Sequence, residues 1–213
     1  MKEKTVKIPA AWLAMLSVLG WFALISQLYL IIQNRLVPVP ETIIRYFSFF
    51  TILTNLLVAV CVSFLWIKPA SKPGHFFARQ TTLTAITVYI VIVGVVYNAI
   101  LRFLWNPQGL QYITDELLHT VIPLLFLLCW ILFVSKNELE YRHAFVWLLY
   151  PLVYLVWTFI HGAITAYYPY PFVNVTELGY RRVLINCGGL FIAFLGLSLF
   201  LVAAGKYISK KKA

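Results

Sequence analysis

The sequence predicts an all-α fold, a polytopic integral membrane bundle of six transmembrane helices with both termini in the cytoplasm. Composition is the first observation behind this prediction. Of the 213 residues, 62% are hydrophobic and only 11% are charged, whereas a soluble domain is close to half apolar and a quarter charged. The mean hydropathy of +0.86 points the same way. Composition therefore argues against a soluble protein.

The second observation is the spacing of the apolar runs. Six runs have about the 20 residues that a helix needs to cross a bilayer. They lie at 11–32, 47–67, 82–104, 118–135, 144–167 and 184–205. The segments between them contain proline, glycine, asparagine and charged residues, which are typical of loops. None of these segments is long enough for a separate domain, so residues 1–213 are predicted to form one transmembrane domain.

The third observation is the unequal distribution of basic residues between the two sides of the predicted membrane. With six spans the termini share one side, and that side carries Lys2, Lys4, Lys7, Lys68, Lys72, Arg79, Lys136, Arg142, Lys206, Lys210, Lys211 and Lys212. The other side carries Arg35, Arg45, Arg102, Arg181 and Arg182. Because cytoplasmic loops are enriched in Lys and Arg, both termini are predicted to be cytoplasmic.

The net charge of +10 does not predict a nucleic-acid partner. The basic residues lie in short connections and tails and form no basic face. Membrane lipids are the predicted partners, and the sequence does not indicate an oligomeric state. The predicted location is a bacterial plasma membrane. An endoplasmic reticulum membrane is the alternative, because Lys210-Lys211-Lys212-Ala213 has the form of a retrieval signal.

Three cysteines, Cys61, Cys129 and Cys187, all lie within apolar runs. Their spacing matches neither a metal site nor a disulfide framework. We interpret them as small apolar core residues. The sequence thus predicts no metal and no cofactor.

Several polar side chains lie within the apolar runs, close to the predicted outer surface. At 1.5 Å per residue, Thr51 lies about 6 Å below that surface, His119 lies at a similar depth, and His161 lies about 9 Å below it. Asn98, Arg102 and Asn186 belong to the same layer. Strongly polar groups are unfavourable at membrane depth, which makes them candidates for a functional site.

Thr51, Thr54 and Asn55 are spaced at i, i+3 and i+4 and therefore share one helix face. This face could line a substrate site. A structural explanation is also available, because threonines in membrane helices often bond to their own backbone and small polar residues often mediate helix contacts.

His119 has a carboxylate, Asp115, one helical turn upstream. Such a partner fixes the tautomer of the imidazole and stabilises its charged form, as in a general base. Pro123 can bend the helix and free a carbonyl near the site. The alternative is that His119 caps the entrance of the helix and bonds at the interface.

His161 and Arg102 are less specific signals. His161 follows Thr158 by one turn, and its position suits a satisfied core histidine as well as a functional one. Arg102 could extend to the interface or attract a carboxylate or phosphate group.

Three stretches resemble a known family: Tyr46-Phe47-Ser48-Phe49-Phe50-Thr51-Ile52-Leu53-Thr54-Asn55, Asp115-Glu116-Leu117-Leu118-His119-Thr120-Val121-Ile122-Pro123 and Tyr168-Pro169-Tyr170-Pro171-Phe172. Their order and spacing resemble the bacterial six-transmembrane Pr-six-Pr family. That family is similar to the androgen-induced and androgen-dependent membrane proteins of animals, which hydrolyse fatty-acid esters of hydroxy fatty acids.

The resemblance implies a threonine nucleophile at Thr51 and a histidine base at His119. Asp115 stands where an asparagine is expected in some relatives, so the residue that assists the base is charged here. The predicted catalytic residues are Thr51, His119 and Asp115. The predicted substrate-binding residues are Thr54, Asn55, Asn98, Arg102, His161 and Asn186.

The leading hypothesis is an intramembrane lipid-ester hydrolase with an amphiphilic, lipid-like substrate. A small-solute or lipid transporter with a polar site in the outer half is the alternative. The cytoplasmic half of the predicted bundle lacks polar residues that could line a transport path. No inverted repeat is visible in the sequence either, and both observations disfavour transport. A haem protein with His119 and His161 as axial ligands is the third hypothesis.

Overall fold

The computed structural model describes residues 8–211, whose regular secondary structure is helical, with no strand among them. Lys2, Lys4, Lys7 and Lys212 of the charge distribution lie outside these residues. Six helical segments within this range are long and apolar enough to cross a membrane: Ala10–Gln33, Phe50–Ile67, Gln80–Ala99, Leu110–Phe133, Tyr141–Thr165 and Val175–Lys210. The predicted all-α class and the six apolar helices are therefore confirmed.

The described residues form ten α-helices, labelled in chain order, and all of them except α2 and α4 belong to these six segments. They are α1 (Ala10–Gln33), α2 (Val39–Phe47), α3 (Phe50–Ile67), α4 (Lys72–Phe77), α5 (Gln80–Ala99), α6 (Leu110–Glu116), α7 (Ile122–Phe133), α8 (Tyr141–Trp147), α9 (Leu149–Thr165) and α10 (Val175–Lys211). A π-helical turn, Leu117–Val121, joins α6 to α7 within one span. Short 3₁₀ turns occupy Leu101–Leu104 and Pro171–Val173.

The second apolar run starts differently from the prediction. Residues 39–47 form the separate short helix α2, and α3 begins only at Phe50. The helix is interrupted between them because Phe49 has an extended backbone, with φ −82° and ψ 125°. From α9, the Tyr154 hydroxyl donates to the Ser48 carbonyl oxygen at 2.9 Å and holds this break. Thr51 consequently lies in the first turn of α3.

The fourth span begins at Leu110, eight residues before the predicted start at residue 118. Gly109 precedes it with φ +57°, a conformation that glycine adopts without strain. Asp115 and His119 therefore lie inside the helical span. Capping of a helix entrance, the structural alternative for His119, does not apply at this position.

The core is centred on α5. It is the most buried of the six spans, with 67% of its most apolar stretch buried, against 22% for the spans of α8–α9 and α10. On its sides pack α3 and α7, and α1 packs closely on α3. A Cβ at Gly20 of α1 would lie 3.1 Å from Ala59 Cβ of α3, so the small residue permits this approach. The less buried outer spans expose many large apolar side chains.

The connection between α3 and α5 gives a test of the fold at Gly74. A Cβ at this position would lie 2.4 Å from the Lys68 carbonyl oxygen and 2.5 Å from that of Pro69. Gly74→Ala should destabilise the protein by about 1–3 kcal/mol, because backbone atoms must move. Thermal unfolding in detergent measures the effect. Gly196→Ala is the matched control, since nothing lies within 4 Å of its Cβ; equal unfolding temperatures for both variants would contradict the packing described.

Candidate active site

The candidate site is built around an irregular turn in the fourth span. Residues Leu117–Val121 are π-helical, and Pro123 follows directly. Proline has no backbone N–H to donate to the carbonyl four residues earlier, as in an α-helix, or to the carbonyl five residues earlier, as in a π-turn. These are the carbonyls of His119 and Leu118. A π-turn of this kind often marks a functional position in a helix.

Two asparagines from neighbouring helices donate to these carbonyls. From α3, Asn55 Nδ2 donates to the Leu118 oxygen at 3.1 Å and to the Thr51 oxygen at 2.9 Å. From α5, Asn98 Nδ2 donates to the His119 oxygen at 3.2 Å and to the Gly94 oxygen at 2.9 Å. The two amides thus tie the π-turn to both flanking helices.

Gly94 allows α5 to approach the π-turn closely. A Cβ at this position would lie 3.1 Å from the His119 carbonyl oxygen and 3.1 Å from Pro123 Cβ. A larger residue would therefore push the two helices apart at the histidine.

The imidazole of His119 is held by Asp115 on one nitrogen. Nδ1 lies 2.9 Å from the Asp115 backbone oxygen and 3.2 Å from its carboxylate Oδ1. Both are acceptors, so Nδ1 carries the proton and Nε2 is left with a lone pair when the ring is neutral. The His119 side chain is 13% exposed and that of Asp115 is 6% exposed.

Tyr97 of α5 completes the support of the histidine. Its ring stacks on His119 with centroids 4.0 Å apart and an interplanar angle of 16°. Its hydroxyl donates to the other carboxylate oxygen of Asp115, Oδ2. One tyrosine therefore positions both the base candidate and its carboxylate.

Thr51 differs from five other helical threonines of the structure. Each of the five donates its hydroxyl to the carbonyl four residues earlier: Thr42, Thr84, Thr87, Thr158 and Thr165. For Thr51 the carbonyl four residues earlier belongs to Phe47, which lies in α2, before the interruption that separates α2 from α3. The structural alternative of a back-bonded threonine therefore does not hold at this position.

Tyr170 is the hydrogen-bond partner of Thr51. Its hydroxyl lies 3.2 Å from Thr51 Oγ1 and accepts from the Thr51 backbone N–H at 3.1 Å. That N–H belongs to the first turn of α3, where helical donors lack an intrahelical acceptor. Burial raises the pKa of Tyr170, outweighing the opposite effect of its bonds to Thr51, so the phenol is protonated at neutral pH.

Two cavities meet at this cluster. The first, which we call the apolar cavity, encloses about 830 Å³ including its mouth. The second, the polar cleft, encloses about 840 Å³ and includes Gln27, Gln111 and Asp115 in its wall. Five residues line both spaces: Thr51, Tyr97, Leu101, His119 and Tyr170.

Thr51 and His119 thus face the same two spaces from different helices. Within residues 8–211, the hydrogen bonds of Thr51 go to Tyr170 and Asn55, and those of His119 go to Asp115 and Asn98. No hydrogen bond joins the two side chains to each other in the described residues. Catalytic hydrogen bonds commonly form only when substrate is bound.

The other predicted binding residues are distributed unevenly. Thr54 is fully buried, and its hydroxyl lies 3.3 Å from that of Tyr150. Arg102 forms an ion pair with Glu116, and its guanidinium lies 5.6 Å from the Tyr97 ring centroid. Neither residue is in the wall of either cavity.

Asn186 and His161 lie farther from the cluster. Asn186 Nδ2 donates to the Phe172 carbonyl oxygen at 2.9 Å and so anchors the loop that carries Tyr170. His161 stacks on Trp157 at 5.7 Å and lines neither cavity. The structure therefore brings together Thr51, Asn55, Asn98, Asp115 and His119, and leaves His161 outside.

Sequence reasoning missed Tyr97 and Tyr170. Tyrosines are numerous in this chain, with 13 in total, and aromatic residues are expected at membrane interfaces. The signal available for Tyr170 was its place between two prolines. No comparable signal marked Tyr97, because its contact with Asp115 joins different helices.

No match is found when the chain is compared with protein-family models, with curated proteins and with solved structures. The resemblance to the Pr-six-Pr family stays a prediction that depends on the three motifs. Among residues 8–211, no group of three or more His, Cys, Asp or Glu side chains is placed to hold a metal ion.

The asparagine contacts predict a measurable coupling with Pro123. Asn98→Leu should destabilise the protein by about 1–2 kcal/mol, because the His119 carbonyl loses its donor. In a Pro123→Ala background the helix regains a backbone N–H. Asn98→Leu should then lower the free energy of unfolding by less than half as much as it does with Pro123 present. Unfolding of the two single variants and the double variant in detergent gives the coupling free energy. An equal cost in both backgrounds would show that Asn98 does not compensate for the proline.

Proposed function

We propose that this chain is a multi-pass membrane protein that hydrolyses carboxylic esters of lipid-like molecules, with Thr51 as nucleophile and His119 as general base. The observation that carries the proposal is that Thr51 and His119 both line the apolar cavity and the polar cleft. A threonine hydroxyl that is not back-bonded and a histidine with an unprotonated Nε2 line the same two cavities. A nucleophile next to an oriented base is the arrangement that acyl transfer needs.

In the proposed first step, Nε2 of His119 takes the hydroxyl proton of Thr51, and Oγ1 bonds to the ester carbonyl carbon. The carbonyl electron pair moves to its oxygen. When the pair returns, the bond to the leaving alkoxide breaks, and the alkoxide takes the proton from His119. Water then attacks the acyl-threonine with His119 again as base, which releases the acid and restores Thr51.

Asp115 has a supporting role in this scheme. It holds Nδ1–H through both its backbone oxygen and its carboxylate. That contact keeps Nε2 as the basic nitrogen and stabilises the imidazolium once the proton arrives. The carboxylate is itself fixed by the Tyr97 hydroxyl.

The two cavities suit the two parts of an amphiphilic ester. Large hydrophobic side chains, such as Leu155, Phe191 and Phe194, line the apolar cavity, which can take an acyl chain. Amide and carboxylate groups in the wall of the polar cleft suit the alcohol part and the attacking water.

Asn55 and Asn98 act on the helix backbone in this proposal and do not bind substrate. Their amide protons are bonded to backbone carbonyls. We assign both residues to positioning of the π-turn and not to oxyanion stabilisation. Arg102 is paired with Glu116, so the proposal does not require it to bind substrate either.

The membrane placement belongs to the same proposal. The distribution of Lys and Arg favours cytoplasmic termini. The site would then lie toward the outer leaflet, in a bacterial plasma membrane and in contact with membrane lipids. The three motifs on which the Pr-six-Pr resemblance depends contribute Thr51, His119 and Tyr170 to the wall common to both cavities.

Hydrolysis of p-nitrophenyl palmitate by the purified protein in detergent tests the proposal. Thr51→Ala should lower kcat/KM by roughly 10³-fold or more, because the acyl-enzyme cannot form. His119→Ala should lower it by about 10²–10⁴-fold, the usual contribution of a general base. Release of p-nitrophenolate measures both.

Thr87→Ala is the matched control for this experiment. Thr87 is also a fully buried helical threonine, but its hydroxyl bonds to the Leu83 carbonyl and it lines neither cavity. Its variant should keep the wild-type rate. Full activity in Thr51→Ala or His119→Ala, with unfolding temperatures like that of the wild type, would rule out the assignment.

A further inference from the structure

The Tyr170 hydroxyl contacts the proposed nucleophile at two atoms, and no part of the proposed reaction yet uses it. It lies within hydrogen-bond distance of both the backbone N–H and Oγ1 of Thr51. A role for this hydroxyl in the reaction rests on the proposed function, since it concerns the proton of Thr51.

Only one of these two hydrogen bonds has a direction fixed by its atoms. The backbone N–H of Thr51 can only donate, so the Tyr170 oxygen accepts from it. In the bond between the two hydroxyls either oxygen can be the donor. The direction that leaves the Thr51 proton for the base is the one in which Tyr170 O–H donates to Thr51 Oγ1.

This direction has a consequence for Thr51. Its oxygen accepts from Tyr170, and its own proton must point to another acceptor. The carbonyl four residues earlier belongs to Phe47 in α2, before the interruption at Phe49. The space in front of Thr51 is the one lined by His119, whose Nε2 carries a lone pair.

We propose that Tyr170 is a third catalytic side chain, which donates its hydroxyl hydrogen bond to Thr51 Oγ1 throughout the attack. The bond orients the Thr51 proton toward His119 Nε2. As that proton leaves, negative charge grows on Oγ1, and the hydrogen bond from the phenol strengthens because it then meets a charged acceptor. Tyr170 keeps its own proton, so the proton balance between Thr51 and His119 is unchanged.

The surroundings of Tyr170 are built to hold it in this position. Its ring stacks on Phe172 at 5.2 Å with an interplanar angle of 4°, and meets Phe49 edge-on at 5.7 Å. Asn186 of α10 anchors the following turn through the Phe172 carbonyl. These contacts involve the ring and the backbone, so removal of the hydroxyl alone should leave the loop in place.

The test uses an alkyl fluorophosphonate, a reagent for activated hydroxyl nucleophiles. In the labelling step the Oγ1–P bond forms, the P–F bond breaks, fluoride leaves and the Thr51 proton passes to His119. Intact-protein mass spectrometry follows the rate, and peptide mapping locates the label. Tyr170→Phe should slow labelling of Thr51 by about 10²-fold, the effect of losing one donor to a developing oxyanion.

Tyr89→Phe is the matched control, because it also removes a buried tyrosine hydroxyl. That hydroxyl donates to the Trp147 carbonyl oxygen at 2.8 Å, and Tyr89 lines neither cavity. Its variant should be labelled at the wild-type rate. In ester hydrolysis, Tyr170→Phe should lower kcat with little change in KM, since the lost bond acts on the reacting oxygen.

Each outcome decides between the two proposals. Wild-type protein that is not labelled at Thr51 overturns the proposed function and, with it, the role of Tyr170. Labelling of Thr51 at an equal rate in wild type and Tyr170→Phe overturns the role of Tyr170 and leaves the hydrolase proposal standing.

A second variant covers the case in which Tyr170→Phe unfolds. Incorporation of 3,5-difluorotyrosine at position 170 keeps the hydroxyl but makes the phenol more acidic. Labelling should then fall at alkaline pH, where the donor is lost, while the wild type still reacts. Identical alkaline profiles would overturn the inference.

Discussion

Proline has no backbone N–H, and the candidate site depends on how the structure compensates for this at Pro123. The helix forms a π-turn over Leu117–Val121, and two asparagines from α3 and α5 donate to the carbonyls of Leu118 and His119. A buried carbonyl without a donor would be unfavourable. The compensation therefore fixes the histidine between the two most central helices.

A second constraint acts at the start of α3. The break after Phe47 removes the carbonyl that would otherwise take the Thr51 hydroxyl, and it leaves first-turn N–H groups without helical acceptors. Tyr170 bonds to both groups of the threonine. The interruption before α3 and the π-turn of the fourth span thus lie on either side of the same two cavities. The polar side chains at these two irregular positions, Thr51 and His119, are the ones that the proposed chemistry uses.

Much of the fold could be predicted because helices long and apolar enough to cross a membrane leave a strong pattern in the sequence. Long apolar runs gave the six spans, with the start misplaced by three residues at α3, by eight at the fourth span and by nine at the sixth, which begins at Val175 and not at residue 184. The apolar pattern continues through the break at Phe49, so it could not separate α2 from α3. At Leu110 the helix includes polar residues such as Gln111 and Asp115, which an apolar run does not register.

The sequence by itself determined the class of the protein and the polar residues worth examining, since hydropathy and the i to i+4 spacing of Asp115 and His119 are local properties. Only the tertiary structure decided which of these residues meet. It placed Thr51 and His119 in one wall, moved His161 out of it and added Tyr97 and Tyr170. The physical reason is that these contacts join residues from different helices, and their geometry depends on helix packing and loop path, which no local pattern records.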